Sequence, residues 1–68
     1  MKVKLIDVLV MAENGTLKDD ERVIIDDDLY FWDSKDKKFY DKPKGKYQVT
    51  YRMIYTYSLS IKCELIDR

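Results

Sequence analysis

The stretch KYQVTYRMIYTYSLSIKCELI, residues 46–66, decides the fold class. Its odd positions, Tyr47, Val49, Tyr51, Met53, Tyr55, Tyr57, Leu59, Ile61, Cys63 and Leu65, are all apolar or aromatic. Nine of the eleven even positions are polar, Ile54 and Ile66 being the exceptions. Alternation with a period of two describes an antiparallel strand with one packed face and one wet face. A single straight strand of 21 residues would reach ~70 Å at ~3.3 Å per residue, several times the diameter of a small domain. The tract therefore bends, although no Gly or Pro marks the place. A two-residue hairpin would invert the parity, because its partners n and n+3 share a face. The unbroken parity favours an odd-length loop or a bulge-free bend, placed at Tyr55–Ser60. Pairing with a second copy is the other way to accommodate so long a strand.

The segments before it supply shorter elements. Leu5, Val8, Leu9 and Ala12 recur at i, i+3, i+4 and i+7, one face of a helix over residues 5–12, with Ile6 and Val10 widening the stripe. Asn14-Gly15 ends it, since glycine takes the left-handed conformation without steric cost. Asn-Gly is also a hairpin signal, but the polar run that follows is a poor strand. Met1–Lys4 reads as a strand leading into the helix. Val23-Ile24-Ile25 and Leu29-Tyr30-Phe31-Trp32 are β-prone runs, joined by a turn at Asp26-Asp27-Asp28, where Asp tolerates unusual φ. Residues 33–37 form a second hairpin connection to Phe39-Tyr40, and residues 41–45, with the only proline, form a loop. The expected architecture is α+β: one short N-terminal helix packed on a twisted antiparallel sheet of four to five strands. A small, partly open β-barrel is the alternative.

Sixty-eight residues make a single domain, 1–68, of 8.2 kDa, small enough to bury only ~60% of its unfolded surface. Its 46% hydrophobic content exceeds that of a disordered tail. Thirteen basic residues balance thirteen acidic ones, but unevenly along the chain. Residues 13–34 carry eight acids against Lys18 and Arg22; residues 35–46 carry six lysines against Asp36 and Asp41. The result is a −6 block followed by a +4 block. Solvated hairpin turns explain such blocks simply; two charge-specific contact surfaces are the sharper reading.

Catalytic chemistry finds little purchase. There is no histidine, the commonest general base and metal ligand. Ser58 and Ser60 have no activating base, and Cys63 falls on the apolar parity of the last strand, as an inert core thiol would. Asp26, Asp27 and Asp28 lack the alternating spacing and distal glutamate of a calcium loop. No metal or other cofactor is expected. The two glycines stand thirty residues apart, which excludes a phosphate loop. The N-terminal apolar stretch is too short for a membrane span and lacks a signal-peptide cleavage pattern; with one unpaired cysteine, the expected location is cytoplasmic.

Two sets of residues are candidates for binding. Asp26, Asp27 and Asp28, with Tyr51, Ile54, Tyr55 and Tyr57, would contact a partner protein: the acids steer association and the tyrosines supply rigid contact area. Alternatively, Lys35, Lys37, Lys38, Lys42 and Lys44, with Tyr40, would hold a small phosphorylated ligand such as a nucleotide signal. Cations beside rings also suit single-stranded nucleic acid, but Asp36 and Asp41 dilute the field and no RNP-type pattern is present.

The order Leu5-Ile6-Asp7-Val8-Leu9, Met11-Ala12, Asn14-Gly15, then Arg22-Val23-Ile24-Ile25, Tyr30-Phe31-Trp32-Asp33 before Phe39-Tyr40, and a closing Cys63-Glu64-Leu65-Ile66-Asp67 resembles small uncharacterised phage and prophage proteins of Gram-positive bacteria. The resemblance covers residues 3–33 and 61–67; the tyrosine-rich tract 47–60 departs from it. It implies a phage accessory protein acting in the host cytosol. Such proteins often inhibit host defence by stoichiometric binding to a host protein or by sequestering a nucleotide signal. The expected function is therefore a non-enzymatic, counter-defence protein binder. A nucleotide sponge and a purely structural homo-oligomer are the alternatives.

Overall fold

A computed structural model describes residues 1–45, 51–52 and 54–68, with the side chains of residues 51, 52 and 55 outside the description. In chain order the elements are β1 (Lys2–Lys4), α1 (Leu5–Glu13), β2 (Arg22–Ile25), β3 (Asp28–Asp33), β4 (Lys38–Tyr40), β5 (Tyr51–Arg52), a single 3₁₀ turn (Ile54–Thr56) and β6 (Lys62–Leu65). The strands form one sheet in the order β1-β6-β2-β3-β4-β5, every neighbouring pair antiparallel. Five strands have three or more residues and β5 has two. The fold is α+β, and the sheet does not close into a barrel.

Local chemistry sets the connections. Asp7 caps α1 by accepting the Lys4 N–H at 2.9 Å. At the other end Gly15 takes φ +78°, and the Thr16 N–H donates to the Met11 carbonyl at 2.9 Å, as in a Schellman ending. The β2–β3 turn is two residues, Asp26 and Asp27, both with positive φ (51° and 69°), the backbone of a type I′ hairpin. In the β3–β4 turn Asp33 Oδ1 accepts the N–H groups of Lys35 and Asp36 at 3.0 and 2.9 Å. Just before β2, the Asp20 N–H and Glu21 carbonyl both bond to Trp32. Two residues thus oppose one, a bulge with Asp20 in the left-handed position (φ 62°).

One parity of strands β2, β3, β4 and β6 faces the core. Val23 and Ile25, Tyr30 and Trp32, Phe39, and Cys63 and Leu65 are all buried there, with Leu5 and Val8 of α1 packed over them. Each such side chain contributes about 1.5–3 kcal/mol on removal from water. Trp32 and Phe39, paired across β3 and β4, stack tilted with centroids 4.7 Å apart.

The 46–66 tract is where the expected alternation is corrected. Residues 46–50 and 53 lie outside the described residues. Beyond them the chain leaves the extended state at the 3₁₀ turn and returns to it only at Lys62. The bend does fall at Tyr55–Ser60. Its parity is broken, however: Ile54, on the polar parity, is 1% exposed, whereas Leu59, on the apolar parity, is 53% exposed. A tight turn re-aims side chains by about a third of a circle per residue, so period two has no meaning there. The molecule measures 32 × 21 × 19 Å, too short for the straight strand.

Candidate functional site

The other parity of the strands faces away from α1 and is not part of the core. The register aligns it in rows. Lys4 stands opposite Lys62; Lys2, Glu64, Ile24 and Leu29 form a row across β1, β6, β2 and β3. Arg22, Phe31 and Tyr40 form the next row, which continues to the backbone of Tyr51 in β5. Leu29 is 41% exposed, and Ile24, Phe31 and Tyr40 are half-buried. Among the described residues, none of the four belongs to the core cluster or packs against it. One half of this open face is thus aliphatic and aromatic, the other charged.

At the charged end of the sheet an open basin of about 810 Å³ lies between the β1–β6 pair, the first turn of α1 and the β2–β3 turn. Lys2, Lys4 and Lys62 enter its wall, set against Asp7, Asp27 and Glu64. All three lysines are exposed, and none has an ion-pair partner among the described residues. Two N–H groups of the first turn of α1 are already used: Leu5 donates to Ile61 and Ile6 to Leu59, both at 3.0 Å. The positive charge in the basin is therefore that of the lysine side chains, matched in number by its three carboxylates.

Ion pairs engage part of the two charge blocks of the sequence. Lys44 of the basic block reaches Asp19 at 2.8 Å and Asp33 at 3.4 Å in the acidic block. The Lys44 hydrogen bond, with further bonds from Ser34, holds the Asp19 carboxyl down at about 2. Glu21 is buried, which opposes its ionisation, but two bonds from Arg68 and one from the Lys18 N–H outweigh burial and keep its pKa below the usual value. Arg22 clasps Asp67 through two guanidinium nitrogens at 2.6 and 3.1 Å.

The residues singled out in the sequence are dispersed. Asp26, Asp27 and Asp28 are exposed at the β2–β3 end, Asp27 on the basin's rim. Ile54 is corrected from contact surface to core, because its burial leaves nothing for a partner to touch. Tyr57 is half-buried against the core. The side chains of Tyr51 and Tyr55 lie outside the description. Of the lysine set, Lys44 is engaged as above, while Lys35, Lys37 and Lys38 lie at the β3–β4 turn and Lys42 in the following loop. The Tyr40 hydroxyl donates to Asp36 at 3.2 Å. Burial pushes the Cys63 thiol up to about 11, helped by Asp26 and Asp7, so it is a poor nucleophile. Among the described residues no group of His, Cys, Asp and Glu is arranged to hold a metal, and no helix is long and apolar enough to cross a membrane.

Of the site that does assemble, Ile24, Leu29, Phe31 and Tyr40 beside Lys2, Lys4 and Lys62, the sequence reading singles out Tyr40 alone, as part of a ligand site. Its signal was present: Val23-Ile24-Ile25 and Leu29-Tyr30-Phe31-Trp32 are apolar at both parities. In a sheet covered on one side, such runs leave one apolar set facing out. The chain has no significant match among family models, curated proteins or solved structures.

Proposed function

We propose that this chain is a non-enzymatic binding protein that acts by occupying a partner protein through the open face of its sheet. In the setting suggested by the resemblance to small phage proteins, the partner is a host protein in the host cytosol and occupancy inhibits it. One observation carries the reading: Ile24, Leu29, Phe31 and Tyr40 form a contiguous apolar and aromatic surface on the face opposite α1. Apolar patches of this kind with a polar rim mark interaction sites.

The test is capture from bacterial lysate by the tagged chain, with Leu29→Glu as the paired variant and light scattering of the isolated complex. The expected result is a stoichiometric complex that Leu29→Glu abolishes while circular dichroism is unchanged. Equal capture by both proteins would overturn the reading. A free protein running at a multiple of 8.2 kDa, returned to monomer by Leu29→Glu, would reassign the face to self-association.

A further inference from the structure

The basin beside the apolar surface specifies what the partner must carry, an inference that rests on the binding role of the open face. Lys4 and Lys62 are directly opposed across β1 and β6, on the outward parity. Like charges in that position repel and weaken a sheet, and neither lysine has an ion-pair partner among the described residues. Asp7, Asp27 and Glu64 line the same basin, and none of them forms an ion pair with Lys4 or Lys62; Asp7 instead accepts the Lys4 N–H. Lys62 is the diagonal neighbour of Ile24 through the Ile24–Glu64 register, about 7–8 Å away. Leu29 lies one strand further, at about 12 Å. Two lysines without a direct ion pair among the described residues thus stand at fixed reach from the aliphatic pair Ile24 and Leu29.

We propose that the partner is a protein segment that sets an apolar side chain on Ile24 and Leu29 and one carboxylate between Lys4 and Lys62. The carboxylate supplies the direct ion pair that neither lysine has among the described residues. A continuous polyanion fits less well, because Asp27 and Glu64 in the same basin repel every phosphate that does not land on the lysine pair. The partner surface is therefore acidic at one point and apolar beside it, the reverse of the basic surface that the acidic block suggested.

The experiment uses fluorescein-labelled peptides with a Leu-Trp-Leu centre flanked by glutamates, the same peptides with glutamine in place of glutamate, and a twelve-residue oligothymidine, read by anisotropy at low and high salt. The wild-type chain is expected to bind the glutamate peptide at least about tenfold more tightly than the glutamine peptide, the size of one well-placed charge pair. The double variant Lys4→Gln, Lys62→Gln should lose that preference and, without ligand, should melt no lower than wild type, since repulsion has been removed. Leu29→Glu should weaken both peptides. If Leu29→Glu abolishes binding but the lysine variant keeps the full preference, the carboxylate clamp is wrong and the docking face stands. If neither variant alters binding, both fail. Preference for oligothymidine, or glutamate-peptide binding weaker than about 1 mM, overturns the acidic-partner inference.

Discussion

Glu21, buried under the loop that enters β2, receives two hydrogen bonds of 2.9 Å from the guanidinium of Arg68, a residue 47 positions away. The same guanidinium donates to the Thr16 carbonyl at 2.7 Å. One side chain thereby ties the loop after α1 and the bulge before β2 to the end of the chain.

Removing that side chain leaves a carboxylate in a site that is 4% exposed, and an unpaired buried charge is far worse than an unpaired exposed one. Arg68→Ala is expected to lower the melting temperature by on the order of 10 °C for a domain of this size. Combining it with Glu21→Gln should recover part of the loss, because no charge is then stranded. Calorimetry of the three variants checks this, and a melting temperature unmoved by Arg68→Ala contradicts it.

Acid should destabilise the fold through the same class of contact. Asp19, held at about 2 by Lys44 and Ser34, and Glu21, Asp33 and Asp67, all held below their usual values, bind protons more weakly folded than unfolded. Their stabilisation is present above the unfolded values, 3.8 for Asp and 4.5 for Glu, and is lost as pH falls through the folded ones. The urea midpoint should therefore hold steady near neutrality and decline from pH 4.5 toward pH 2. Lys44→Met should make that decline shallower. A midpoint flat to pH 3 would be the wrong outcome.

The β2–β3 turn offers a backbone test. Asp27 sits at φ 69°, which a non-glycine residue adopts at a cost. Asp27→Gly should stabilise the protein by about 0.5–1 kcal/mol, net of the extra freedom glycine gives the unfolded chain. Asp27→Ala should destabilise it, since alanine loses the local bonding that lets Asp tolerate the conformation. Denaturant titration distinguishes the two signs.

Cys63 should behave as a core thiol. It is 4% exposed, with its pKa raised to about 11. A disulfide reagent at pH 8 should label the native protein roughly a hundredfold more slowly than the urea-unfolded chain. Equal rates would place the thiol at the surface.

The local elements were legible in the sequence because each is set by neighbours along the chain. Helix α1 follows from the spacing of Leu5, Val8, Leu9 and Ala12 and the stop at Asn14-Gly15; the hairpins follow from Asp26-Asp27 and the polar break after Trp32. Alternation failed at residues 54–61, where period two continues in the letters but the backbone turns, since patterning reports the environment and not the dihedral angle.

Tertiary structure alone decided the rest. The chain order does not reveal that β6 inserts between β1 and β2, because that pairing joins residues some forty to sixty positions apart through side chains chosen for burial rather than for a local rule. The same insertion brings Lys62 opposite Lys4 and beside Ile24, while Lys44 folds onto Asp19. The sequence by itself determined helix α1, the strands β2, β3 and β4 with their turns, and that apolar residues occupy both parities of β2 and β3. Which parity faces out, and which charges remain unpaired beside it, depended on long-range contacts, whose strength comes from burial and proximity in space, quantities absent from a linear pattern.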